Sequence, residues 1–311
     1  MSKNQSCFAR PVLSSDGRYM VLRTDGPALV DVTARVTDLA ARAGCVLSEQ
    51  ARLERRYAGA GGPVGLVVLL GRQVVGHAHF VGGADPTAGW DVELVGDPAQ
   101  PEAFPAVLDA VLAEGRRASV PEIRWWAPPS PAMGLLARGF DLECDHVLFR
   151  MEAPIAAAVV TPHAPLPDGL RLRPLVVPHE LDAWLTLNQR AFAAHHTQRR
   201  WTRSDVERRM AQPWFDPQGF LVAEADGRLV ATCWVKPQGD TFGELYVVAV
   251  DPFHQGLGVG RAVAAVGLHH LAVRGARTVS LHVADHNDAA LRLYAGLGFT
   301  PVGTQKVWRT R

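Results

Sequence analysis

The residues best placed to do chemistry are Gln255-Gly256-Leu257-Gly258-Val259-Gly260-Arg261, which lie between an apolar strand ending at Val250 and a helical stretch. A glycine-rich turn that opens a helix presents unsatisfied backbone N–H groups and the positive end of the helix dipole, which together make an anion site. Gly256, Gly258 and Gly260 carry no Cβ, so a pyrophosphate can approach the backbone closely. A dinucleotide-binding fingerprint does not fit, because it follows the first strand of its domain and this loop follows the fourth. A Walker A loop does not fit either, since no Gly-Lys-Ser/Thr is present here. Two further side chains stand out near the loop. Glu244 is a carboxylate in an otherwise apolar strand, where an unpaired charge is costly. It reads either as a general base whose pKa burial would raise, or as an ion-pair partner of Lys236. Tyr294, four residues before Gly298, offers a phenol able to protonate a leaving group, or a half-buried ring hydrogen-bonded to backbone.

The elements that must position these groups parse from residue 170 onward. Leu170–Leu175 reads as a strand, His179–Phe192 as a helix, and Thr202 as the N-cap of a second helix. A hairpin turns at Ala225-Asp226-Gly227-Arg228, Glu244–Val250 is a strand, and Gly260–Val273 is a helix. Val279–Val283, Asn287–Leu297 and Phe299–Trp308 complete the order as strand, helix and strand. Earlier in the chain the series is similar: helices near Val30–Ala41 and Glu49–Tyr57, a hairpin over Val64–Val81, and a helix near Ala103–Gly115. Leu136-Ala137-Arg138-Gly139-Phe140 repeats the pattern of Ala295-Gly296-Leu297-Gly298-Phe299, and Gly89–Pro98 matches Gly243–Pro252. Two matches in the same order predict a tandem duplication. The Pro- and Ala-rich residues 154–168 read as a linker, dividing the chain into domains at 1–153 and 169–311.

Composition narrows the field. Thirty-two basic and 31 acidic residues leave a net charge of +1, with no footprint for nucleic-acid or membrane-surface binding. The four cysteines are scattered, and the pairs His195-His196 and His269-His270 are adjacent, which does not aim two ligands one way; no metal is expected. The N-terminus lacks an apolar signal region, and no apolar run is long enough to span a bilayer, so a cytoplasmic chain is expected.

Val250–Gly260 resembles the Q/R-x-x-G-x-G/A signature of the GNAT superfamily of N-acetyltransferases. Asn287–Phe299 resembles that family's second signature, an Asn-capped helix ending in Tyr-x-x-x-Gly-Phe. The resemblance implies a mixed α/β fold of two tandem domains, each a splayed mixed sheet flanked by helices, with acetyl-CoA as co-substrate in the splay. It further implies that Val248, Ala249 and Val250 present backbone groups to the acetyl and pantetheine portions. Residues 255–261 would hold the pyrophosphate, Asn287 would touch the cofactor arm, Glu244 would act as base and Tyr294 as acid.

Asn188–His195, Trp201-Thr202, Trp214–Pro217 and Gly243–Val247 extend the similarity to tandem members that acetylate the cysteinyl amine of cysteinyl-glucosaminyl-inositol, the last step of mycothiol biosynthesis. For these, Lys236, Glu244 and Glu49 match acceptor-binding positions, whereas Thr197 replaces a Glu and His282 a Tyr. The alternatives left open are another small-molecule amine (an antibiotic, polyamine or amino acid), a protein N-terminus, or acyl-CoA sensing without turnover. The first half is expected to be inert: Pro101 and Pro105 remove N–H donors, Glu102 would repel a pyrophosphate, no glycine stands where the phosphate loop should be, Trp90 stands at the position of Glu244, and Leu135 at that of Tyr294. A monomer with its two halves packed together is the expected assembly.

Overall fold

The computed structural model describes residues 12–13, 17–25, 35–43, 63–81, 89–127, 130–160, 166–193 and 201–311. The expected helix over 49–57, and with it Glu49, lies outside them, as does Thr197. The chain forms two compact units. One comprises Met1–Val147 with Gln305–Arg311, the other Leu148–Thr304.

In the first unit, strands β1 (Val12–Leu13), β2 (Met20–Asp25), β3 (Pro63–Leu70), β4 (Gln73–Val81) and β5 (Trp90–Gly96) pair antiparallel in sequence order. β5 then runs parallel to β6 (Ile123–Ala127), joined through helix α1 (Ala103–Arg117). Helix α2 (Pro131–Gly139) follows, and residues 35–42 are also helical.

The second unit repeats this plan. Strands β8 (Arg171–Pro174), β9 (Phe220–Ala225), β10 (Arg228–Gln238) and β11 (Phe242–Val250) are antiparallel neighbours. Helix α6 (Val259–Val273) then leads to β12 (Thr278–Ala284), parallel to β11. Helices α4 (Leu181–Ala191) and α5 (Arg203–Met210) precede the hairpin, and α7 (Asp288–Ala295) precedes β13 (Thr300–Arg309). The Thr202 cap forms as expected, with reciprocal bonds between Thr202 and Asp205. On α6, Val259, Val263, Leu268 and Leu271 are fully buried, each worth about 1.5–3 kcal/mol of apolar transfer.

The boundaries expected at 153 and 169 need correction. Strand β7 (Glu143–Pro154) carries residues 148–154 into the second unit, where they pair antiparallel with β12. β13 in turn carries residues 306–309 into the first unit, where they pair with β6. Each sheet is thus completed by a strand from the other half of the sequence. Residues 155–160, expected in a linker, form helix α3 (Ile155–Val160), with Ile155 and Ala158 in the core under α6. The Ala-rich run that suggested a loop is also a good helix former, and packing decided between them.

The internal match needs a second correction. In the second unit Phe299 N donates to the Tyr294 carbonyl and Gly298 N to that of Ala295; in the first, Leu142 N donates to Ala137 and Asp141 N to Arg138. Gly298 and Asp141 are the positive-φ residues of the two helix ends. The equivalent of Tyr294 is therefore the buried Ala137, not Leu135, which is 67% exposed. Aligning the two Gly-Phe pairs shifted the match by two residues.

Candidate active site

β11 and β12 pair only at Phe242–Thr278, Gly243–Val279 and Glu244–Ser280. Beyond Glu244 they part, although β11 stays paired to β10 up to Val250 and β12 to β7 up to Ala284. The opening between two parallel strands therefore begins at Glu244 itself, and exposes one edge of the 245–250 backbone. On the other side, β10 and β11 change register at Trp234/Val235: Trp234 faces Val247 and Val235 faces Leu245, leaving Tyr246 as a bulged residue. Cross-strand partners share a face, so the bulge puts Glu244 and Val247 on the side of Lys236 and Trp234. Leu245 and Val248 face the α6 side with Val235 and Cys233.

A cavity of about 350 Å³ lies at the mouth of the opening, within the range of small-ligand sites. Among its walls are nine of the eleven residues expected to hold a nucleotide cofactor: Val248, Ala249, Val250, Gln255, Gly256, Gly258, Gly260, Arg261 and Asn287, joined by Tyr294. Leu257 is 60% exposed and Val259 fully buried in the core, so neither side chain forms the wall. Ala191, Phe192, Arg292 and Leu293 complete much of it; they fall within the stretches Asn188–His195 and Asn287–Phe299, which did not single them out as cavity walls.

Gly256 and Gly258 have φ of +77° and +81°, and a Cβ at either would meet no atom within 4 Å. The loop is thus curled into a left-handed conformation around open space, with Gly258 as the N-cap of α6. Gln255 Nε2 donates to the Val250 carbonyl at 3.1 Å, and Arg261 donates to the Gly296 carbonyl at 3.2 Å. The root of the loop is fixed by Asp251, which accepts from Phe253 N at 3.1 Å and from Arg190 Nε at 2.7 Å. Burial alone would raise the Asp251 carboxyl, but Phe253, Arg190 and His254 outweigh it and hold the group below its ordinary value. Asn287 Oδ1 accepts from Ala290 N, capping α7 as expected.

Tyr294 is nearly buried at the cavity wall, its ring edge-on to Phe299. Burial, with Cys233 close by, pushes its phenol above the ordinary value near 10, so it stays protonated at neutral pH. Burial likewise lifts the Cys233 thiol to about 12, which leaves it an unreactive packing residue.

Glu244, Lys236 and His282 do not line this cavity; they gather at the point where the strands part. Gln238 Nε2 donates to Glu244 Oε2 at 2.6 Å, and His282 Nδ1 is 3.4 Å from Oε1. The Lys236 ammonium lies 5.0 Å from the Trp214 ring centre and 5.1 Å from that of Tyr246. Tyr246 accepts from Arg209 Nε at 2.6 Å, and the Arg209 guanidinium stacks 4.2 Å over Trp201. Trp201 and Trp214 appear in the sequence motifs, but nothing there marks them as a cluster enclosing Lys236. Gln238 has no sequence signal, because it is the pairing register of β10 and β11 that sets it beside Glu244, and Arg209 reaches Tyr246 from a neighbouring helix.

A model of the Acetyltransferase (GNAT) family matches residues 181–299. The mycothiol acetyltransferase of Thermobispora bispora is 40% identical to this chain, the match covering 82% of the chain and 86% of the relative. That of Streptomyces avermitilis is 36% identical over 91% of the chain and 90% of its own length. Among solved structures, a tandem GNAT protein from the clavulanic acid biosynthesis pathway covers 94% of this chain and 98% of its own, with a TM-score of 0.70 at 15% identity. A GCN5-related N-acetyltransferase from Sphaerobacter thermophilus gives 0.66 at 17% identity, covering 96% of both chains.

Proposed function

Because the chain belongs to the GNAT acetyltransferase family, and within it groups with the mycothiol acetyltransferases, we propose that it moves the acetyl group of acetyl-CoA onto the cysteinyl amine of cysteinyl-glucosaminyl-inositol. The observation that carries this reading is the coincidence of three features: an open glycine loop at a helix N-terminus, strands that part at Glu244, and a protonated tyrosine on the wall between.

The loop over 255–261 holds the pyrophosphate of the co-substrate through backbone N–H groups, aided by the dipole of α6. Arg261 and Arg292 add positive charge at the cavity rim. The freed edge of β11 at Val248–Val250 offers backbone donors to the acetyl carbonyl and pantetheine, polarising the thioester as an oxyanion hole does. Glu244 takes the proton from the attacking amine; the amine nitrogen bonds to the carbonyl carbon and the C–S bond breaks. Tyr294 supplies a proton to the departing sulfur. Lys236 and His282 flank the acceptor, with Glu49 and Thr197 as further acceptor-binding candidates. The first unit is a degenerate copy of the second.

Free thiol release from acetyl-CoA tests the reading, with mass spectrometry of the N-acetylated product. Release with cysteinyl-glucosaminyl-inositol well above that with simple amines is the expected result. Turnover of simple amines alone would remove the acceptor assignment, and tight CoA binding with no release for any amine would remove the enzyme.

A further inference from the structure

Once Glu244 has taken the proton of the amine, it must lose that proton before the next turnover. Its side chain is only 13% exposed, and Oε2 is engaged by Gln238. Its other oxygen, Oε1, faces His282 Nδ1 at 3.4 Å, and the His282 side chain is 46% exposed. His282 is thus the bridge between an enclosed carboxyl group and solvent. Resting on the acetyl-transfer reading above, we infer that His282 is the proton exit of the active site, carrying to water the proton that Glu244 takes from the acceptor.

The cycle balances without any further reagent: neutral amine and thioester become amide and CoA thiol with no net release of a proton, so water takes the proton of Glu244 and returns one to Tyr294, which gave its own to sulfur. Protonated Glu244 gives its proton to Nδ1 of the neutral imidazole, regenerating the carboxylate and an imidazolium. The half-exposed ring turns outward and releases the same proton to water. Imidazole is suited to this because its ordinary pKa lies near neutral pH, so both of its protonation states are accessible. His282 acts through Glu244, so it is a positioning and relay residue and not a catalytic one.

The charged groups facing the ring are set by register. On β7, Arg150 is the cross-strand partner of His282, and Glu152, the partner of Ser280, is ion-paired to Arg150. On β11, Glu244 approaches it directly, and Lys236 on β10 lies across from Glu244. Glu152 occupies Arg150, which leaves Glu244 as the nearest carboxylate to the ring. A tyrosine at 282 would keep a hydrogen bond but, with a pKa near 10, could not cycle a proton at neutral pH.

The full chain with His282→Gln, which keeps a hydrogen-bonding side chain, separates relay from binding. Expected are a kcat about tenfold lower in dilute buffer, an almost unchanged KM for the amine, and recovery of rate as free imidazole is added. A raised KM with kcat intact, or a loss of rate that imidazole leaves untouched, would overturn the relay. Failure of acetyl transfer in the wild-type chain would fall on the functional reading, whereas a wild-type chain that turns over beside a variant whose lost rate imidazole does not restore would fall on the relay alone.

Discussion

The stretch from β5 to α1 in the first unit and the stretch from β11 to α6 in the second are the same scaffold with opposite contents. Asp97 N donates to the Val75 carbonyl at 2.8 Å, and Asp251 N to that of Val230 at 2.8 Å. Asp97 accepts from Ala99 N and is paired with Arg42, just as Asp251 accepts from Phe253 N and is paired with Arg190. Beyond the aspartate the copies diverge. The second unit has seven residues (252–258) before its helix, two of them glycines curled left-handed; the first has five (98–102), and Glu102 in helical conformation starts α1. In the second unit Gly260 on the helix faces Val250 on the strand; in the first, Phe104 faces Gly96 so closely that a Cβ on Gly96 would sit 2.5 Å from the ring. β5 and β6 also stay paired through Glu93–Trp126, three positions past the equivalent of the Glu244 parting point. The first unit has filled with side chains the space that the second keeps for a ligand. The aspartate–arginine lock is thus common to both units, while the curled glycine loop that it anchors belongs to the second.

The sharpest way to break this comparison is through the exchanged strands. Trp308 is buried in the first unit's core although it follows the second unit's elements in sequence. Trp308→Ala should cost about 3–5 kcal/mol by denaturant unfolding, enough to melt the first unit while the second still binds CoA. Simultaneous loss of CoA binding would mean the units do not fold separately. Next comes the base: Glu244→Gln should lower kcat/KM by about a hundredfold or more with CoA affinity intact, while Trp90→Phe at the equivalent position leaves acetylation unchanged. An active Glu244→Gln chain would take Glu244 out of the chemistry.

Gly258→Ala places a Cβ at φ +81°, where strain of about 1–3 kcal/mol predicts CoA binding at least five- to tenfold weaker by calorimetry. Gly96→Ala should instead disturb stability and leave CoA binding alone. The smallest effect is expected from Arg190→Ala. Asp251 has a folded-state pKa below its unfolded value, so its contribution is present above about pH 4 and is lost as pH falls through the lower, folded value. Without Arg190 the folded value rises and that loss begins at higher pH. Because Arg190 is a third exposed, the change should be at most about 1 kcal/mol in denaturation at graded pH.

The glycine loop, Asn287, Tyr294 and the order of elements were legible from sequence because each depends on a few adjacent residues. The apolar strand around Glu244 was legible for the same reason. What escaped depends on partners far apart in sequence. β7 and β13 read as ordinary last strands of their own halves, since alternation and turn residues carry no information about which edge a strand joins. The bulge at Tyr246 left no mark in a strand of apolar residues, yet it sets which face Glu244 occupies. The misplacement of Leu135 came from matching glycines by name, when the left-handed position in the first unit is held by Asp141.

The exchange of β7 and β13 also orders the making of the protein. β6 acquires its second neighbour only from residues 306–309, and every strand of the second unit is synthesised before them. Throughout that interval the first sheet presents an open edge on the nascent chain, a template for pairing with other chains. Translation that stalls within residues 148–304 would leave that edge permanently exposed, so incomplete chains of this protein should be markedly more prone to aggregate than the finished one.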